Sequence, residues 1–270
     1  MKLRIAFVFA VWGLVGLLLT SCEGIFSSLY DEVEEQPANG GEETIITGDD
    51  MTSVEGQIYV DASDWNTWTY INLEALANAS LNGETDAANA VCVMDIPTQA
   101  IDADTETGIY TYWFDVFGQG LTNNERRSFY ATVSQPEPQA WTIALHRETA
   151  RTNGCAALET NYTSFDQLPA SGEAFKDETF EADSWSERDV WVVQSQMLQG
   201  VIGCQGIDIN KVLSGWYTCD IPPMPPAYIM NNHVFVLRLS DGTYAALQLL
   251  NHLSPTGTKC CFTIRYKYPY

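Results

Sequence analysis

Two methionines lie at positions where a thioether could serve as a metal ligand. Met224 has two prolines on each side of it within residues 221–226, and proline rings hold the backbone stiff and extended. Met197 follows the strand-like segment 190–196 and precedes a short loop. A thioether is a neutral, soft ligand that suits haem iron, above all in its reduced state. A plainer interpretation also fits, in which Met197 fills a gap in the core and Met224 is an incidental surface residue.

The sequence lacks the local motifs that mark common enzyme classes. It contains no G-x-S-x-G, no H-E-x-x-H, no phosphate-binding P-loop and no G-x-G-x-x-G. His146, His233 and His252 lie in or beside predicted strands, so we predict packed or surface residues rather than catalytic bases. Two carboxylates brought together only by folding leave no sequence mark, so a hydrolase with dispersed acids stays as a third hypothesis. The motif search favours a protein that is not an enzyme.

The N-terminus has the pattern of an export signal that ends in a lipid-attachment site. Two basic residues precede an apolar run over residues 5–19, which is too short for a membrane-spanning helix of about 20 residues. The run ends in Leu19-Thr20-Ser21-Cys22, which resembles a bacterial lipobox. We therefore predict that residues 1–21 are a signal peptide and that acylated Cys22 anchors the mature protein to a membrane.

The segment that follows, residues 22–55, is acidic and offers little for a core. Residues 23–55 contain no lysine or arginine, and such a segment is predicted to be a flexible tether. The whole chain has 35 acidic and 13 basic side chains and a formal net charge of −22. This charge repels a phosphate backbone, so nucleic acid is excluded as a partner. We assign no acidic binding site to the tether.

The cysteines beyond Cys22 leave the disulfide pairing open. They are Cys92, Cys155, Cys204, Cys219, Cys260 and Cys261. An even number in an oxidising compartment permits disulfides, but spacing alone does not give their connectivity, and buried free thiols are the alternative. No pair has the spacing of a zinc site.

Residues 56–270 carry the alternating pattern of a β domain. The predicted strands cover residues 57–61, 68–73, 109–117, 128–133, 141–146, 190–196, 234–239, 244–250 and 260–268. Asp241-Gly242 between two apolar runs predicts a hairpin, and helical periodicity is confined to short pieces such as 73–81. We predict a single all-β domain, an antiparallel β-sheet or sandwich with long loops and few short helices.

One motif and three longer segments resemble a known family. Residues 141–147, Trp-Thr-Ile-Ala-Leu-His-Arg, together with 151–154, Arg-Thr-Asn-Gly, are similar to the W-x-x-A-L-H-R…R-x-N signature of the HmuY family. That family consists of haem-binding lipoproteins, or haemophores, of anaerobic Gram-negative bacteria. Segments 60–70, 215–228 and 234–270 resemble its first strand, its ligand-bearing loop and its last three strands. The resemblance covers most of the chain after the tether.

The resemblance implies an all-β fold in which two loop-borne axial ligands hold a haem. It places the first ligand position at Met197. The second falls in the proline-rich loop, where Ile221 occupies the position of a histidine found in some members and Met224 lies three residues further on. Neither loop contains a histidine, so the resemblance implies two axial methionines and a structural role for His146. Met230 is left open as a substitute for Met224.

The leading hypothesis is a haem carrier that is lipid-anchored in the outer membrane at the cell surface. Met197 and Met224 would ligate the iron of haem (iron protoporphyrin IX), and the aromatic rings of Trp216, Tyr217 and Tyr228 would wall the porphyrin. The partners that the resemblance implies are haem, host haemoproteins and a TonB-dependent outer-membrane receptor, and the purpose is iron acquisition.

Departures from the family pattern support a second hypothesis about function. The stretch 74–139 is longer than the family's usual connection and is predicted to be an enlarged insertion, and the extra cysteines are unusual. These differences leave the receptor and the edges of the pocket open. The alternative, from a different class, is a surface β-sandwich lipoprotein that binds glycan or protein without haem.

Overall fold

The computed structural model describes residues 56–81, 90–97, 111–115, 127–128, 134–193, 201–220 and 227–270. The predicted signal peptide, the tether with Cys22, and both Met197 and Met224 lie outside these ranges, as does most of the insertion. The chain divides into two units. One comprises Met1–Thr44 and Cys219–Ala227, and the other comprises Ile45–Thr218 and Tyr228–Tyr270. The second unit contains the core and the three larger sheets described below.

Strands dominate the described part of the chain. They are β1 (Gln57–Asp61), β2 (Thr67–Ile71), β3 (Val91–Asp95), β4 (Thr111–Asp115), β5 (Arg127–Ser128), β6 (Ile143–His146), β7 (Thr149–Thr152), β8 (Ala156–Glu159), β9 (Glu181–Ala182), β10 (Ser184–Ser186), β11 (Trp191–Val193), β12 (Val201–Gln205), β13 (Ile207–Ile209), β14 (Tyr217–Asp220), β15 (Ala227–Met230), β16 (Val234–Arg238), β17 (Tyr244–Leu253) and β18 (Lys259–Lys267). Helix α1 (Leu73–Leu81), helix α2 (Lys211–Ser214) and two 3-10 turns, Phe165–Gln167 and Gly172–Phe175, complete the set. Across these ranges, no helix is long and apolar enough to span a membrane.

Antiparallel pairing organises these strands into three larger sheets. The first has six strands in the order β1-β18-β17-β16-β8-β9, the second has the order β3-β2-β6-β7, and the third has the order β11-β12-β4-β5. Two small sheets pair β10 with β13 and β14 with β15. The predicted all-β, antiparallel fold class is confirmed.

The main core lies between the six-stranded sheet and the β3-β2-β6-β7 sheet. Phe235, Leu247 and Phe262 of the first sheet and Ile143 and Leu145 of the second belong to this one buried cluster. Along β16 the alternate residues, Val234 and Val236, belong to a separate cluster on the opposite face. Side chains alternate along a strand, and both faces of β16 are covered, so its sequence is a continuous apolar run.

Several predicted boundaries agree with the structure and others shift. Strand β1 and helix α1 have their predicted limits. The predicted strand 190–196 is described as a strand only over β11, and the last three residues of that prediction lie outside the described ranges. At the predicted hairpin, Gly242 has a φ of +86°, and the Asp241 carboxylate accepts from the backbone N–H of Thr243 at 2.9 Å. This confirms the hairpin and shows why it needs glycine there.

Cys92, Cys155, Cys204 and Cys261 are free thiols among the described residues. The Cys204 thiol donates to the carbonyl of Arg188 at 3.5 Å. Burial raises the pKa of Cys155 to about 11 and that of Cys204 to about 12. The Cys155 and Cys204 thiols therefore stay protonated at neutral pH, which makes them structural rather than reactive.

Candidate functional site

The two methionines proposed as ligands occur in the connections of two β-hairpins. Strands β11 and β12 pair antiparallel, with Trp191 opposite Cys204, and Met197 belongs to the segment that joins them. Strands β14 and β15 form a two-stranded sheet, and Met224 belongs to the segment between these strands. Both methionines lie outside the described residues. The structure therefore shows the base of each hairpin.

The base of the β11–β12 hairpin is a stack of two indoles and a guanidinium. The rings of Trp65 and Trp191 stack with centroids 6.3 Å apart and an interplanar angle of 23°. The guanidinium carbon of Arg147 lies 3.8 Å from the Trp65 ring centroid, which is a cation–π contact. Arg147 Nη1 also donates to the carbonyl of Ser63 at 2.8 Å. The Trp65 indole thus packs against both Trp191 and Arg147 at the base of the hairpin.

His146 contacts the same hairpin through the backbone of Trp191. Its side chain is buried, with Nδ1 lying 2.9 Å from the carbonyl oxygen of Thr67 and Nε2 lying 2.8 Å from that of Trp191. Burial lowers the pKa of His146 from 6.5 to about 4, although the two carbonyl contacts favour the charged ring. Both nitrogens already contact protein oxygens, so neither is open to a metal. This agrees with the structural role that we predicted.

The base of the β14–β15 hairpin is an aromatic cluster. The rings of Tyr217 and Tyr228 stack with centroids 5.8 Å apart. The imidazole of His252 lies 4.9 Å from Tyr217, centroid to centroid, and Phe262 meets Tyr217 edge-on at 5.4 Å. Tyr228 is half-buried, and so is Met230, which packs partly against the main core.

Of the three rings predicted to wall a porphyrin, only Tyr228 has exposed surface. Trp216 and Tyr217 are both 0% exposed. The Trp216 indole lies in the main core, 6.2 Å from Phe262 and 6.4 Å from Phe235, centroid to centroid. The short helix α2 precedes it, and Asn210 caps that helix by accepting from the backbone N–H of Leu213. Trp216 therefore supports strand β14 from within the core and does not present a face to a ligand in this structure.

Arg147 lies buried beside the base of the β11–β12 hairpin. It has a left-handed backbone, with a φ of +49°, and its side chain is buried. Burial opposes its charge, while the neighbouring Cys260 and Glu148, and more weakly Tyr228 and Tyr217, raise the pKa of the Arg147 guanidinium. Its side chain is thus stacked on Trp65 and within electrostatic range of both tyrosines. The motif residues His146 and Arg147, next to each other in the chain, therefore support the base of the β11–β12 hairpin.

Two polar residues that the sequence did not single out as ligand contacts complete the cluster. The Lys259 ammonium lies 4.0 Å from the ring centroid of Tyr228. Burial and the nearby Lys259 charge lower the pKa of His252 from 6.5 to about 4, so its ring is neutral at pH 7. His252 was predicted only as a packed or surface residue, and no local pattern marks Lys259. Throughout the described ranges, no group of three or more His, Cys, Asp or Glu side chains could hold a metal ion.

Comparison with known proteins gives consistent matches. The family model described as "HmuY protein" matches residues 64–266. A solved structure from Bacteroides vulgatus, described as a HmuY-like heme-binding protein, has 28% identity and a TM-score of 0.55, over 84% of this chain and 97% of that chain. A lipoprotein structure from Bacteroides fragilis has 26% identity and a TM-score of 0.54, over 79% and 90%.

A third structure supports the fold alone. The apo HmuY analog of Tannerella forsythia has 19% identity and a TM-score of 0.55, over 79% of this chain and 94% of that chain. No protein of curated function matches this sequence significantly.

Proposed function

Since its residues 64–266 match the family model, the chain belongs to the HmuY family, and we propose that it binds and carries haem without transforming it. The observation that carries this proposal is that each candidate ligand lies in the connection of a hairpin whose base is built on stacked aromatic rings, Trp65 with Trp191 and Tyr217 with Tyr228. Each hairpin's connecting segment contains one of the two candidate thioether ligands. A planar ligand held from two sides needs two such supports, each fixed by the core.

In this proposal Met197 and Met224 are the axial ligands of the haem iron. Met197 is four residues after Val193, the end of β11, and Met224 is four residues before Tyr228. Two of the three histidines are already engaged, because both ring nitrogens of His146 contact carbonyls and His233 pairs with Glu159 at 2.8 Å. Two neutral sulfur ligands stabilise Fe(II) more than Fe(III).

Hemin titration of the purified mature protein tests the proposal. We expect a Soret band characteristic of bound haem, and tighter binding after reduction with dithionite. Met197→Ala and Met224→Ala should each weaken binding of reduced haem at least about tenfold, since each removes one axial ligand.

Two further methionine variants serve as controls. Met94→Ala removes a half-buried methionine of β3 and should leave the spectrum unchanged. Met230→Ala tests whether that residue replaces Met224. An unaltered hemin spectrum together with specific binding on a glycan array would replace the haem carrier with the alternative, a surface module that binds glycan or protein.

We further infer that the protein is a lipoprotein of the outer membrane that takes haem from host haemoproteins and passes it to a TonB-dependent receptor. The lipobox-like sequence before Cys22 supports the anchor. Labelling with a radioactive or clickable fatty acid should modify the wild type but not Cys22→Ala, and the variant should leave the membrane fraction. Retention of label in the variant would refute the assigned attachment site.

A further inference from the structure

Lys259 places a cation at the base of the β14–β15 hairpin, over the ring of Tyr228. Its ammonium lies over the ring of Tyr228 at 4.0 Å, and no carboxylate of the described residues forms an ion pair with it. The chain has 35 acidic and 13 basic side chains, so acidic partners are abundant. A lysine held against an aromatic face rather than a carboxylate keeps its charge available to an anionic ligand.

His252 adds a hydrogen-bond donor to the same cluster. Its ring is held against Tyr217 at 4.9 Å, and within the described chain its ring nitrogens have no hydrogen-bond partner, in contrast to those of His146 and His233. Burial and Lys259 keep the imidazole neutral at pH 7. A neutral imidazole has one N–H that can donate to a carboxylate oxygen.

The sheet fixes both side chains at the same end of two paired strands. Lys259 begins β18 and lies opposite Leu253, the last residue of β17. The register shifts on either side of Asn251, whose side-chain oxygen accepts from the backbone N–H groups of His252 and Leu253 at 2.8 and 3.1 Å. Such bulges turn a side chain away from the direction that a regular strand would give it. The neighbouring Cys260 has a φ of +64°, a backbone conformation that non-glycine residues adopt rarely.

We propose that Lys259 and His252 form a subsite for the propionate carboxylates of haem. This inference rests on the proposed function and extends it to the ligand's polar edge. The ammonium and the imidazole N–H donate to carboxylate oxygens, while the exposed part of the Tyr228 ring covers adjacent apolar surface of the ligand. The subsite orients the porphyrin by its charged edge, independently of the iron.

Comparison of hemin with hemin dimethyl ester tests the subsite, because the ester keeps the iron and the ring but lacks the carboxylate charge. Lys259→Ala should weaken hemin binding about tenfold at low salt, the effect of losing one charge-assisted hydrogen bond at a partly exposed position. The same variant should bind the dimethyl ester as tightly as the wild type does. Lys259→Arg should retain most of the affinity for hemin. His252→Gln keeps a hydrogen-bond donor, so it should bind hemin more tightly than His252→Ala does.

Lys267→Ala is the matched control. Lys267 ends the same strand, and its ammonium lies 4.9 Å from the ring centroid of Tyr270. It is therefore a second lysine over a tyrosine ring, away from the cluster. Its loss should change neither the affinity for hemin nor the affinity for the dimethyl ester. Equal weakening of hemin and ester by Lys259→Ala would overturn the subsite, since the lysine would then act only on structure. Tight hemin binding that Lys259→Ala leaves unchanged would also overturn it while leaving haem carriage intact. Failure of the wild type to bind either ligand would overturn both proposals.

Discussion

Acidification should destabilise this protein through His146. In the folded state burial lowers its pKa to about 4, whereas an exposed histidine in the unfolded chain titrates near about 6.5. Below pH 6.5 the unfolded chain therefore binds a proton that the folded state accepts only near pH 4. The stability that His146 contributes is fully present above pH 6.5 and is lost as the pH falls toward 4.

The size of this effect follows from the two pKa values. At pH 5 the unfolded state is almost fully protonated at this site and the folded state is mostly neutral, which costs about 2 kcal/mol of unfolding free energy. The loss approaches about 3 kcal/mol below pH 4. Carboxylates titrate over the lower part of the same range, so the wild-type curve alone does not isolate the histidine.

The variant His146→Gln isolates the contribution of His146 to the pH dependence of stability, because glutamine does not titrate and can still donate to one of the two carbonyls. We expect the variant to be less stable than the wild type at pH 7 by about 1–3 kcal/mol, since one buried carbonyl loses its partner. In urea unfolding, the difference in unfolding free energy between the wild type and the variant should be smaller at pH 5 than at pH 7 by about 2 kcal/mol. His233→Gln, at a half-exposed position, provides the control for a histidine that is not enclosed by the core.

One result would refute this reasoning. Nδ1 and Nε2 both face carbonyl oxygens, and only the protonated ring can donate to both. If the wild type instead gains stability relative to His146→Gln on acidification, the two acceptors favour the imidazolium more than burial opposes it. The folded state would then hold a charged histidine near neutral pH.

Three other perturbations follow from the packing. Trp216→Ala should lower the unfolding free energy by about 3–5 kcal/mol, because its indole packs against Phe235 in the main core; a change below about 1 kcal/mol in chemical denaturation would contradict its placement. Gly172→Ala should cost about 1–3 kcal/mol, because a Cβ there would overlap the Tyr244 side chain; an unchanged melting temperature would argue against that close approach. The Cys204 thiol, with a pKa raised to about 12, should resist thiol reagents at pH 8 until the protein is denatured; rapid native labelling, read by mass spectrometry, would show that this thiol is accessible.

The sequence predicted local strand, turn and loop structure, but it did not predict which residues pack around the two loops that contain the methionines. The alternation in residues 57–61 and the Asp241-Gly242 turn predicted local structure, because strand and turn conformations depend on neighbours a few residues away. The short strands β12 and β13 were not predicted, since their runs are brief and interrupted by Gly206. Burial on both faces also removes the alternation that a sequence pattern relies on.

The motif around His146 illustrates a second limit. The spacing of the motif indicated a family and a structural histidine, yet it gave no sign that Nε2 contacts the carbonyl of Trp191, 45 positions away. Trp216 was predicted to wall a ligand because an aromatic residue beside a ligand loop suits that role. The structure places it in the core, because helix α2 and the start of β14 direct its indole toward Phe235 and Phe262.

The sequence by itself was enough to predict the antiparallel β domain that the structure confirms, and it predicts an export signal with a lipid-attachment pattern and two loops that each contain a methionine. These features depend on residue type and short-range spacing. Only the tertiary structure decided that Arg147 stacks on Trp65 and that Lys259 and His252 lie against the stacked rings of Tyr228 and Tyr217. Such meetings depend on strand pairing and bulges between distant segments, and a one-residue change of register would turn each side chain to the opposite face.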